Sequence, residues 1–141
     1  MASEKVVTAK VSWSLAPHTD TAKGHAVIAV PTRPGFNSTF RLTAHVHDMP
    51  PKYSFSVLLG TARVAGLDIN PAGCHWNFVD GNREAVRISH WHCWPEKNVE
   101  PEERDLRFAL WLKHFCNRFN VKIDKGCPPA PFLGGEQMRL L

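Results

Sequence analysis

The sequence predicts an α+β fold: an antiparallel β-sheet of about five to six strands covered by one C-terminal α-helix. Three observations predict it. Segments up to residue 94 alternate polar and apolar residues at a period of two. Asp80-Gly81 stands between two of them, the strongest short-range hairpin signal. Beyond residue 100, Phe108, Trp111, Leu112, Phe115 and Phe119 make one apolar stripe at helical spacing. A chain of 141 residues that is 43% hydrophobic supports one domain, 1–141, with a real core.

The elements follow in order. VVTAKVSWSL (6–15) is β-branched and partly alternating, and HAVIAVP (25–31) is an apolar run closed by proline. In STFRLTAHVHD (38–48), Phe40, Leu42, Ala44 and Val46 share one face and Arg41, Thr43, His45 and His47 the other. Pro50-Pro51 ends that strand. KYSFSVLLG (52–60) and TARVAGLDI (61–69) meet at Gly60 and predict a hairpin. A turn at 70–73 leads to CHWNFV (74–79), Asp80-Gly81 and the strand REAVRISHWHCW (83–94). Acids around Pro101 open a helix expected over about 101–119. The Pro/Gly-rich tail, from about 124 to 141, is irregular.

Composition narrows the function classes. A net charge of +4 allows nucleic-acid contact without demanding it. No apolar run reaches the length of a membrane span, and MASEKVVTAKVSW carries no signal-peptide core. The expected location is cytoplasmic, with no membrane partner and the four cysteines as thiols. No G-x-S-x-G, P-loop or G-x-G-x-x-G is present. Asp68 and Glu84 stand isolated, so a paired-carboxylate site lacks support.

Residues 73–94 hold three of the eight histidines, two of the four cysteines and three of the five tryptophans. On an extended strand His90 and His92 share a face, while Trp91 and Cys93 take the other. With Asp80 and Gly81 as the loop, His75 falls on the histidine face, but roughly 10 Å or more from His90 along a continuous ribbon. A second pair, His45 and His47 with Asp48, sits on its own strand.

Three readings fit. One is a plain hairpin with solvated histidines and core aromatics. A second is a metal site, zinc being the expected ion, with His75, His90 and His92 as ligands. Cys74 and Cys93 alternate away from those histidines and make poor co-ligands. The third is metal-independent RNA cleavage without a cofactor, in which imidazoles serve as base and acid. There Arg83, Arg87 or Lys97 would neutralise the phosphate, and Trp76, Trp91 or Trp94 would stack an unpaired base. Alternation puts Arg87 opposite His90.

The order of features over residues 52–120 resembles the small bacterial TumE-like toxins. It runs Lys52-Tyr53-Ser54-Phe55, a basic strand with Val64-Ala65-Gly66-Leu67-Asp68, a glycine turn, His90-x-His92, an acidic spacer and a helix containing Leu112-Lys113-His114-Phe115. It is also similar to a group of small prokaryotic and phage proteins that carry H-x-N-P-D-G, then H-x-H-x-Y, then a helix. His75 and Asn77 match the H-x-N, Asp80-Gly81 the D-G, and His90 and His92 the H-x-H, with Trp94 at the aromatic position. The loop departs from that pattern: Asn77-Phe78-Val79-Asp80-Gly81 replaces Asn-Pro-Asp-Gly.

The resemblance implies a toxin–antitoxin or phage-conflict effector that cuts RNA. The leading expectation is a toxin-like endoribonuclease with His90 and His92 as acid and base, and with His75 and Asn77 positioning the phosphate or orienting an imidazole. Its partners would be RNA or a nucleic-acid-containing complex, and a cognate antitoxin or host defence protein. The alternative is a non-enzymatic phage-encoded inhibitor of a host defence complex, binding through exposed aromatic and basic residues.

Overall fold

The structure is a computed structural model that describes residues 4–15, 21–29, 38–45 and 50–131. Its strands are β1 (Lys5–Val7), β2 (Ser14–Leu15), β3 (Thr21–Ala29), β4 (Ser38–His45), β5 (Lys52–Leu59), β6 (Ala62–Ile69), β7 (His75–Val79), β8 (Asn82–Val86), β9 (His90–Cys93), β10 (Glu100–Pro101) and β11 (Val121–Ile123). One helix among the described residues, α1 (Phe108–Phe119), precedes β11. The expected α+β class holds. The main sheet runs in the order β10-β9-β6-β5-β4-β3-β1-β11, with β2 attached to β3, and β7-β8 form a separate two-stranded ribbon. Short pieces at both edges take the sheet beyond the expected five or six strands. Every pair is antiparallel except β1 with β11.

Alternation decides the faces. Phe40, Leu42, Phe55, Val57, Leu67 and Trp91 are buried under α1. They meet the predicted helical stripe. Phe115 stacks on Phe40, Phe55 and Trp91 at centroid distances of 6.0, 5.7 and 6.5 Å, and Phe108 packs on Tyr53 and Phe55. The helix ends at Asn120 in the left-handed region, φ 54°, a cap that asparagine tolerates. The buried Lys5 donates from Nζ to the Phe119 carbonyl at 2.6 Å, placing a cation where the helix dipole favours one.

Three expectations are corrected. The 6–15 strand is split, because residues 8–13 are irregular between β1 and β2. The helix begins at Phe108 rather than 101. Glu100 and Pro101 pair with Trp91 and His90 instead. The Glu102 amide donates to the Ser89 carbonyl at 2.7 Å, and its carboxylate accepts from Arg104 and from Trp91 Nε1, which holds the acidic segment extended. Finally, 83–94 is two strands in two sheets: β8 stops at Val86, and β9 starts at His90. No helix among the described residues is long and apolar enough to cross a membrane.

Candidate functional site

The pairing of β6 with β9 sets Asp68 opposite His90 and Gly66 opposite His92. Because side chains alternate, these four positions lie on the face away from α1. Ser54 of β5 is opposite Asp68 in the same row. Asp68 is the hub. Its Oδ2 accepts from His92 Nε2 at 2.9 Å and from Arg63 Nη1 at 3.1 Å, and lies 3.4 Å from His90 Nε2. Its Oδ1 accepts from Ser54 Oγ and from Arg63 Nη2, each at 2.9 Å.

These contacts fix the electrostatics. Burial pushes the Asp68 carboxyl up, but hydrogen bonds from His90, His92 and Arg63, with the Arg63 charge, hold it well below the usual carboxylate range. Burial pulls His90 down, yet the Asp68 carboxylate and the Ile88 carbonyl outweigh it and raise His90 above its ordinary value. His90 Nδ1 donates to that carbonyl at 2.9 Å. His90 is 5% exposed and has both ring nitrogens occupied, whereas His92 is 25% exposed. His92 Nδ1 has no partner among the described residues.

Arg63 reaches this face through a bulge. The odd positions Ala65, Leu67 and Ile69 point into the core, and strict alternation would send Arg63 there too. The register shifts so that Leu58 opposes Arg63 and Val57 opposes Ala65. The extra residue, Val64, turns the guanidinium toward Asp68. Gly66 then provides the seat. A Cβ there would overlap the guanidinium carbon and Nη2 of Arg63. Gly66→Ala is therefore expected to push Arg63 off Asp68 and cost about 2 kcal/mol in urea unfolding. In an Arg63→Ala background the same change should be close to neutral, which a double-mutant cycle measures.

His75 joins from the ribbon. The two-residue loop is as expected, with Val79 opposite Asn82 and His75 opposite Val86. The expected separation is corrected, because the chain bends through Arg87–Ser89 and the ribbon folds back beside β9. The His75 ring lies 5.9 Å from His90 and 5.6 Å from His92, centroid to centroid, and those two are 4.9 Å apart. His75 Nε2 lies 3.0 Å from the Lys97 carbonyl. A carbonyl only accepts, so Nε2 carries the proton and the neutral ring keeps a lone pair on Nδ1.

Asn77 locks the ribbon down. Its Nδ2 donates to the Val99 carbonyl at 2.8 Å, and its Oδ1 accepts from the Val99 amide at 2.7 Å. Asn98 makes a matching pair with the Phe78 backbone. Asn77 is buried with both ends used, so it positions β7 and not a phosphate. Asn77→Ala strands two backbone groups and should lower stability by about 2–3 kcal/mol. Thermal unfolding measures this.

The other expected residues disperse. Trp91 is core, stacked on Phe115, and offers no platform for a base. Trp94 is 65% exposed at the end of β9. Arg83 lies over the Trp76 ring at 4.0 Å on the outer side of the ribbon, turned away from His75 by alternation. Arg87 lines a groove near the ends of β5 and β6. Of the second histidine pair, His45 is exposed on β4, and His47 with Asp48 lies outside the described residues. Burial pushes the Cys116 thiol up to about 12, with the Cys127 charge adding to the rise. It is a packing residue, as its place beside the stripe implies.

Ligand atoms of Asp68, His90 and His92 lie within 4.8 Å of one another. That two-histidine, one-carboxylate set suits a divalent transition metal. The expected set of His75, His90 and His92 is thereby altered, with Asp68 in the place of His75. Asp68, Arg63 and Ser54 went unassigned in the sequence. The one available signal was an acid at the end of a strand whose neighbour carries H-x-H. Comparison with known proteins finds no matching family model, no matching curated protein and no matching solved structure.

Proposed function

We propose that the chain is a metal-independent RNA-cleaving enzyme whose acid–base pair is His75 and His92. The observation that carries this reading is the convergence of three imidazoles around one carboxylate held ionised by His90, His92 and Arg63. His75 and His92 are the two partly exposed rings, each with Nδ1 unengaged among the described residues. In the forward step, neutral His75 takes the 2′-hydroxyl proton as O2′ attacks phosphorus. The P–O5′ bond breaks, and protonated His92 gives its proton to the leaving oxygen. A 2′,3′-cyclic phosphate and a 5′-hydroxyl result. His90, raised above its ordinary value by the Asp68 carboxylate and the Ile88 carbonyl with both ring nitrogens engaged, would supply positive potential to the phosphate when protonated rather than a mobile proton. The setting that suits such an enzyme is a cytoplasmic toxin–antitoxin or phage-conflict system, with a cognate antitoxin or a host defence protein as protein partner.

A second reading rests on the Asp68–His90–His92 donor set, in which zinc or a similar ion would replace the protons shared at Asp68 Oδ2. One experiment separates the two. Tag-free protein is assayed on single-stranded RNA with and without EDTA, and its metal content is measured. Cleavage unchanged by EDTA, with substoichiometric metal, supports the acid–base reading. One ion per chain and loss of cleavage in EDTA would replace it with the metal reading.

A further inference from the structure

A groove of about 810 Å³ opens at the strand ends beside the histidine cluster. Ile69 follows Asp68 and Ser89 precedes His90, and both line it. The groove thus begins one residue along the chain from Asp68 and from His90, at the α1 side of the sheet where Ile69 and Trp111 line it, and Ile88, which also lines it, accepts from His90 Nδ1 through its carbonyl.

The groove is built, not a gap between loops. Asn70 adopts a left-handed backbone, φ 51°. Its amide donates to Ser89 Oγ and its Nδ2 to the Pro51 carbonyl, both at 2.9 Å. The Glu102 amide donates to the Ser89 carbonyl. Four segments are tied together in this way.

The lining combines three chemistries. Ile69, Pro71 and Ile88 give apolar walls, Ile88 being 45% exposed. Arg87 is an exposed cation without an ion-pair partner among the described residues. Glu103 and Asp105 are exposed carboxylates in the same condition, whereas Glu102 is bound by Arg104. Besides Arg87, Lys52 and Arg104 also line the groove, Arg104 being paired with Glu102. Apolar walls, cations and hydrogen-bond acceptors complement a nucleotide: its base packs on the walls, its phosphate meets Arg87, and its amino or imino groups donate to carboxylates.

We infer that this groove binds the nucleotide flanking the cleaved phosphodiester of single-stranded RNA, with Arg87 on that nucleotide's phosphate. The inference rests on the RNA-cleaving reading above. It returns Arg87 to a binding role by a route alternation did not offer, since the bend at Arg87–Ser89 releases it from the strand.

The test uses the full chain carrying His92→Ala, so that RNA stays intact, and a labelled single-stranded oligoribonucleotide in fluorescence anisotropy. Adding Arg87→Glu is expected to weaken binding at least tenfold and to lower the salt-dependence slope by about one. Ala72→Trp, which fills the groove without changing charge, should weaken binding comparably. Lys113→Glu on the exposed side of α1 is the matched charge control and should stay within twofold. Backbone amides of Asn70, Ala72 and Arg87–Ser89 should shift on titration with the oligonucleotide. Equal losses in Arg87→Glu and Lys113→Glu, or unshifted groove amides in protein that binds the oligonucleotide, would overturn the groove assignment and leave the RNA-cleaving reading standing. A wild type that neither binds nor cleaves RNA would remove both.

Discussion

Asp68→Ala is expected to abolish activity and to destabilise the fold by about 3–5 kcal/mol, the range for removing one partner of a desolvated charge pair. Asp68 is 23% exposed and His90 only 5%, so solvent compensates little of the loss. The change leaves the Arg63 guanidinium with only the Phe55 carbonyl and Ser54 Oγ as partners, its Nε being already buried and unpartnered, and removes the carboxylate that raises His90. Asp68→Asn keeps the shape and should fall between. The pH dependence has two limbs. The Asp68 carboxyl is held low in the folded state, so its contribution is complete above its unfolded value of about 4 and is lost as the pH falls. His90 is held high, so its contribution is complete below about 6.5 and is lost as the pH rises through the folded value. The pair therefore stabilises most between about pH 4 and 6.5. Urea midpoints measured across pH should show the gap between wild type and Asp68→Asn widest in that window.

The second large effect separates chemistry from folding. His92→Ala should lower RNA cleavage by about 10²–10⁴-fold, the usual worth of a positioned acid or base, and change stability by no more than about 1 kcal/mol. His75→Ala should behave alike. His90→Ala should lose both activity and stability, because that ring is buried between Asp68 and the Ile88 carbonyl. Steady-state cleavage and urea unfolding on the same three variants check this. An equal loss of stability in all three would mean that the cluster is structural.

Local patterns were legible and non-local ones were not. Residues 46–48 of the predicted 38–48 strand lie outside the described residues. The alternation over 38–45 and the stripe from Phe108 to Phe119 reappear as β4 and α1, because period follows directly from backbone geometry. Asp80-Gly81 marks its hairpin for the same reason, with Asp80 and Gly81 both at positive φ. The break at Arg87–Ser89 carries no glycine or proline. It is made by Asn70 and Glu102 bonding to Ser89, partners 19 and 13 residues away that no window reveals. The helix start failed similarly: acids beside Pro101 look like a first turn, but the Trp91 indole and Arg104 claim Glu102.

The site divides along the same line. H-x-H geometry made His90 and His92 neighbours from sequence, and alternation set Trp91 on the opposite face. Asp68 became the hub only through the pairing of β6 with β9, which skips β7 and β8. Arg63 needed a bulge to escape the core, and the bulge is visible only as a register shift. Gly66 reads as a weak strand residue until the guanidinium it seats is in place.

The most direct measurement compares cleavage of a single-stranded RNA oligomer with that of its fully 2′-O-methylated counterpart, by wild-type protein in EDTA, with the product ends identified. Cleavage of the RNA alone is expected, leaving 2′,3′-cyclic phosphate and 5′-hydroxyl ends, because O2′ is the nucleophile. Cleavage of the methylated strand, or no cleavage of either, would contradict it.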